Sequence, residues 1–148
     1  MPRFRFRLET LRRLREMNRD ELRTRLSEAF QAEQILARQR ASVAAEEVEL
    51  AESQRRMMQS ESLDVGRLLE VQRYHLALDA QSRRLAKQAA KIAEEVEVRR
   101  QAVVEADRQV RVLDKLRERR LEQHRQSQQA AEAKRLDDVA TTRWERER

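Results

Sequence analysis

Side chains that most often carry chemistry are scarce in this chain of 148 residues. The two histidines, His75 and His124, stand far apart, and neither has a second histidine or a distinctive carboxylate at metal-ligand spacing. Both read as solvated or interface residues. The absence of cysteine removes disulfides and thiolate metal sites. One glycine cannot build a glycine-rich phosphate loop. Serines and threonines are present, but no serine–histidine–acid set can be argued. Neighbouring carboxylates such as Glu46-Glu47 and Glu94-Glu95 are ordinary on a solvated helix and lack the enclosing pocket that tunes an acid–base pair. No enzyme, cofactor or metal site is expected, so function must rest on what the surface binds.

Charge is the first guide to a partner. The formal net charge is +6. Residues 1–26 hold nine arginines against four acids, residues 27–107 twelve bases against fifteen acids, and residues 108–148 twelve bases against eight acids. Both termini are therefore basic and the middle mildly acidic. Basic termini attract phosphates, but acids are interleaved with the bases and aromatics make up only 3% of the chain, too few to stack on bases. A solvated, ion-paired helix surface is the better account, and no nucleic-acid partner is expected. The opening Met1-Pro2-Arg3-Phe4-Arg5-Phe6-Arg7 is basic but lacks the apolar run and cleavage site of a secretory signal. No stretch approaches the roughly 18 apolar residues that span a bilayer. A cytoplasmic location without direct membrane insertion is expected. Phe4, Phe6, Leu8, Leu11 and Leu14 among arginines could form a basic amphipathic helix at a membrane. Their burial against Leu113, Leu116 and Leu121 is the simpler expectation.

Composition and periodicity define the elements that position these residues. Charged residues are 41% of the chain, with one glycine and one proline; Ala, Leu, Glu, Gln and Arg dominate and favour helix. Leu22, Ala29, Leu36, Val43, Leu50 and Met57 repeat every seven residues, the spacing of a coiled-coil seam. Its companion row begins at Leu26 and then turns polar at Glu33, Arg40 and Glu47. The pattern breaks at Gln59-Ser60-Glu61-Ser62-Leu63-Asp64-Val65-Gly66. Asp64 is a plausible N-cap, and Gly66 lies either in the first turn of a new helix or in a left-handed reversal. A second seam runs Leu85, Ala89, Ile92, Val96, Arg99, Val103, Ala106, Val110, Leu113, with Arg99 as its one polar member.

The expected fold is all-α: a single coiled-coil domain over residues 1–148, with a first helix over about 6–59, a turn over about 60–64 and a second helix over about 65–140, forming an antiparallel hairpin. The turn sets a register in which Leu36 faces Ala89, Ala29 faces Val96 and Leu22 faces Val103. In that register pairing runs out near residue 120, and the C-terminal part of the second helix overhangs. Just after the turn, Leu68, Leu69, Val71, Tyr74, Leu76 and Leu78 exceed what one seam can bury. Tyr74 and Leu78, four apart, are expected on one face, as a docking surface or as packing against Leu50, Met57 and Met58.

Three segments resemble the flagellar export protein FliJ family. The opening Phe4-Arg5-Phe6-Arg7-Leu8-Glu9-Thr10-Leu11, followed by Leu14-Arg15-Glu16, is similar to the family's basic–aromatic start. The stretch Asp64 to Leu78 resembles its hairpin tip, with Tyr74 and Leu78 as the aromatic and the leucine. The close, with Glu132, Lys134, Leu136, Asp137, Asp138, Ala140 and Arg143, is similar to its C-terminal segment. The resemblance implies an antiparallel coiled coil similar to the central stalk of rotary ATPases, lying in the cytoplasm and peripheral to the inner membrane at the flagellar base. It implies three partners: the hexameric export ATPase FliI, the export-gate protein FlhA, and export chaperones. Carried onto this sequence, Arg12, Arg13, Arg119, Arg120, Lys134, Arg135 and Leu136 would contact the ATPase, and Tyr74 and Leu78 the gate. The alternatives are a generic coiled-coil adaptor and the stalk protein of a non-flagellar type III secretion system.

Overall fold

The computed structural model describes residues 3–146; Met1 and Pro2 of the basic opening segment, and Glu147 and Arg148, lie outside them. Two helices carry nearly all of the described chain: α1, Glu9–Met58, and α2, Val65–Arg146. They pack against each other, as the all-α hairpin reading requires.

The helix boundaries have local causes. Residues 3–6 lie outside any helix, and the chain turns at Arg7 and Leu8. Arginine and phenylalanine alternate there with a period of two, which suits an extended segment with aromatics on one side. Entry into α1 is made by the Glu9 amide donating to the Phe6 carbonyl (3.2 Å) and the Arg12 amide to the Leu8 carbonyl (2.9 Å). At the other boundary Asp64 Oδ1 accepts from the amides of Gly66 (3.0 Å) and Arg67 (3.4 Å), satisfying free donors of the first turn of α2. Gly66 sits inside that first turn, and no glycine has a positive φ, so the left-handed reversal is not used. A Cβ at Gly66 would stand 3.3 Å from the capping oxygen, a close approach that glycine accommodates. Beyond the expected stop near residue 140, α2 continues through Thr141 and Thr142, whose hydroxyls donate back to the carbonyls of Asp137 and Asp138.

The described residues divide into two compact units. The central unit is Leu22–Val103. Its α1 row is the heptad read from sequence: Ala29, Leu36 and Val43 are buried, and Leu22, Leu50 and Met57 half-buried. From α2, Leu78, Leu85 and Val96 are buried, with Ala89, Ile92 and Val103 half-buried. Leu36, Val43, Leu78 and Leu85 form one cluster, on which Leu50, Ala89 and Ile92 pack. Leu36 and Ala89 line one groove, in keeping with the expected large-against-small apposition. Arg99 is tolerated in the seam because its guanidinium is satisfied twice. It donates to the Arg25 carbonyl across the interface (2.6 Å) and to Glu95 one turn away (2.7 Å). Arg25 opposite Arg99 and Glu46 opposite Tyr74 show antiparallel helices.

The terminal unit combines the residues up to Glu21 with those from Val104 onward. On α2, Ala106, Val110 and Leu113 are buried. The α1 side departs from expectation. Phe4 and Phe6 are half-buried, but Leu8 and Leu11 are only partly covered beside Leu116 and Leu113, and Leu14 is exposed. Arg12 and Arg19 turn inward instead, and both are half-buried. Arg12 bonds Asp114 (2.6 Å), Glu16 (3.0 Å) and Glu9 (3.2 Å), while Arg19 reaches Asp107 (3.8 Å) and Glu9 meets Arg117 (3.7 Å). Arg19 and Arg12 lie seven and fourteen residues before Leu26, in the same row. Of that row, Arg12 and Arg19 meet α2 through Asp114 and Asp107, whereas Glu33 and Arg40 are exposed. Long arginine stems can cover Val110 and Leu113 while the charged heads find acids at the rim.

The C-terminal overhang is present. Gln128 is half-buried, and every residue from Gln129 to Trp144 is exposed. Cover lasts slightly past residue 120 because residues 3–6, ahead of α1, lie beside α2 around Arg120 and His124. Phe4 thereby reaches His124, with ring centroids 5.7 Å apart.

Candidate functional site

With no acid–base pocket suggested by the sequence, the sites to build are docking surfaces, and the central unit offers one beside the turn. Tyr74 is about half exposed, and its hydroxyl donates to Glu46 Oε2 at 2.7 Å. That hydrogen bond, reinforced by the Glu46 charge, raises the Tyr74 pKa above its ordinary value. A shallow groove beside the ring is lined by Glu46, Glu49 and Glu52 with Leu50, Ser53 and Arg56, so Tyr74 looks onto an acidic border. Leu78 does not share its exposure. It is 2% exposed and belongs to the core cluster, because four residues along α2 are enough to carry a side chain from the rim of the seam to its centre. Of the apolar excess after the turn, Leu68 and Val71 are half-buried. Exposed apolar surface comes instead from Val65, Leu69 and Leu76, which follow at four and then seven residues along one face of α2. Sequence reading pointed to an apolar surplus here without sorting it, since Leu76 and Leu78 are alike in type and differ only in which side of α2 they occupy.

The residues assigned to the ATPase fall into three environments within the terminal unit. Arg12 is engaged internally; its bond to Asp114 raises its pKa above the usual value, and it supports the fold more than it offers a free cation. Arg13 is largely exposed, with a long pair to Glu9 (3.6 Å). Arg119, Arg120, Lys134, Arg135 and Leu136 are all exposed, the last three on the overhanging part of α2. The structure gathers Arg120 with a set that sequence reading did not combine. A groove of about 690 Å³ is lined by Arg3, Phe4, Arg5, Phe6, Arg7 and Leu8 from the opening segment and by Leu116, Arg120, Gln123, His124 and Ser127 from α2. Phe4 and Phe6 are half-buried, while Arg3, Arg5 and Arg7 are exposed. The alternation of residue types from 3 to 7 was the signal for it, since a period of two suits a segment with the two types on opposite sides.

Among the described residues, no cluster of histidines and carboxylates could hold a metal ion, and no helix is long and apolar enough to cross a membrane. Compared with known proteins, residues 4–148 match the family model described as Flagellar FliJ protein. No curated protein and no solved structure matches the chain.

Proposed function

Because this chain belongs to the flagellar FliJ protein family and is thus a component related to flagellar export, we propose that it works without catalysis, as the stalk-like link between the export ATPase FliI and the export gate FlhA, and that it assists export-chaperone traffic. The family match carries this reading. The geometry supports it in two places. The terminal unit presents exposed cations at Arg13, Arg119, Arg120, Lys134 and Arg135, with Leu136 among them on an uncovered helix. Such a helix gains cover only from a partner, and an ATPase ring is the partner we assign to it. Arg12 contributes by fixing the start of α1 through Asp114.

The gate contact is assigned to Tyr74 and its neighbourhood. Leu78 acts there by holding α2 in place from within the core, and the exposed Leu69 and Leu76 extend the apolar surface. A location at the base of the flagellum, peripheral to the inner membrane, follows from these partners. The decisive measurement is the hydrolysis rate of the cognate ATPase with and without the purified chain, alongside a size-exclusion profile of the mixture. Stimulation with a co-eluting larger species is expected. Neither stimulation nor co-elution would remove the ATPase from the reading. Partner proteins from a non-flagellar secretion system, tested in parallel, separate the two type III settings.

A further inference from the structure

Four arginines of the terminal unit, Arg3, Arg5, Arg7 and Arg120, converge on one groove. Arg12, Arg13, Arg19, Arg111 and Arg117 are all held by acids. Ion pairs among the described residues involve none of Arg3, Arg5, Arg7 or Arg120. All four are exposed, and all four line the groove between the opening segment and α2, which no acidic side chain lines. Between them lies apolar surface from Phe4, Phe6, Leu8 and Leu116. Arg3 and Arg5 alternate with Phe4 and Phe6, and Arg7 lies in the turn that follows, so exposed cations flank the half-buried aromatics.

We propose that this groove binds an acidic peptide segment that carries one bulky apolar side chain. The carboxylates pair with the four arginines, and the apolar side chain enters the groove. Charge complementarity selects an anion, and a groove with an apolar part of its lining accepts a peptide side chain more readily than a flat bilayer face. Nucleic acid is disfavoured because stacking needs open ring faces, and Phe4 is half-buried against His124. The inference stands on the groove alone and does not depend on the ATPase assignment.

The test uses the full chain and a fluorescein-labelled peptide with one phenylalanine flanked on each side by alternating glutamates and serines. Polarisation should show saturable binding that weakens as salt rises. The triple variant R3Q/R5Q/R7Q should bind at least about tenfold more weakly, the loss of several charge-assisted contacts. The triple variant R38Q/R55Q/R56Q, with the same change in net charge elsewhere, should bind as the parent does. Replacing the probe's phenylalanine with serine should cost about tenfold as well, the equivalent of one buried aromatic side chain. Far-ultraviolet circular dichroism checks that the variants stay helical, and the serine probe tests the groove on the unaltered chain. Equal binding of both probes, or an equal loss in both triple variants, would overturn the proposal. So would tighter binding to phosphatidylglycerol vesicles or a single-stranded oligonucleotide than to the peptide.

Discussion

Tyr74 and Leu78 show how far two residues of one helical turn can diverge. Ionising Tyr74 would place a second negative charge beside Glu46, so the phenol stays protonated above its usual range. The sign follows: a group whose folded pKa is raised contributes stability that is fully present below the unfolded value of about 10 and is lost as pH rises through the folded one. The chain has one tyrosine, so near-ultraviolet absorbance of the phenolate reports this site alone. The titration midpoint should lie above that of free tyrosine and move back toward it in Glu46→Gln; an identical midpoint in parent and variant would refute the coupling. Leu78 answers to a different test. Leu78→Ala opens a cavity in the core cluster and should cost about 2–5 kcal/mol, whereas Leu76→Ala, on the exposed face, should stay within about 0.5 kcal/mol. Denaturant midpoints of the two variants measure the contrast. A loss of gate binding in Leu78→Ala must therefore be read against its stability, and Tyr74→Ala is the cleaner probe of the surface.

Each helix carries arginines at its interface with the other and holds them with partners across it. Along α1 the row that carries Leu26 becomes Arg19 and Arg12 nearer the N-terminus, and both are half-buried. The acids at Asp107 and Asp114 meet these arginines, so the two stay at the interface while Leu11 and Leu14 do not. Arg12→Met keeps the aliphatic stem and removes the ion pairs. It should lower the melting temperature by a few degrees at low salt, with a smaller difference in concentrated salt, where the parent's pairs are screened. A difference that does not shrink with salt would show that the ion pairs of Arg12 do not carry its contribution. In α2 the polar seam member Arg99 is handled in the same way, through the Arg25 carbonyl and Glu95.

At the scale of the whole chain, cover ends well before the C-terminus of α2. From Gln129 to Trp144 no residue is even half-buried. Deleting the stretch from Lys134 onward should leave the denaturation midpoint unchanged while lowering ATPase binding and sparing gate binding. A falling midpoint would show that the tail stabilises the fold. Sequence alone determined the helical class, the heptad of Leu22 to Met57, the Asp64 cap, the second seam and the uncovered C-terminal stretch. These depend on local propensity, periodicity and helix length, all of which are local properties of a chain. Tertiary structure decided which members of the apolar surplus are buried, separating Leu78 from Leu76 and Arg12 from Leu11. It also brought Arg3, Arg5 and Arg7 beside Arg120, more than a hundred residues away. Such outcomes are fixed by what the opposite helix places across the interface, and one strand of a periodic pattern does not contain its partner.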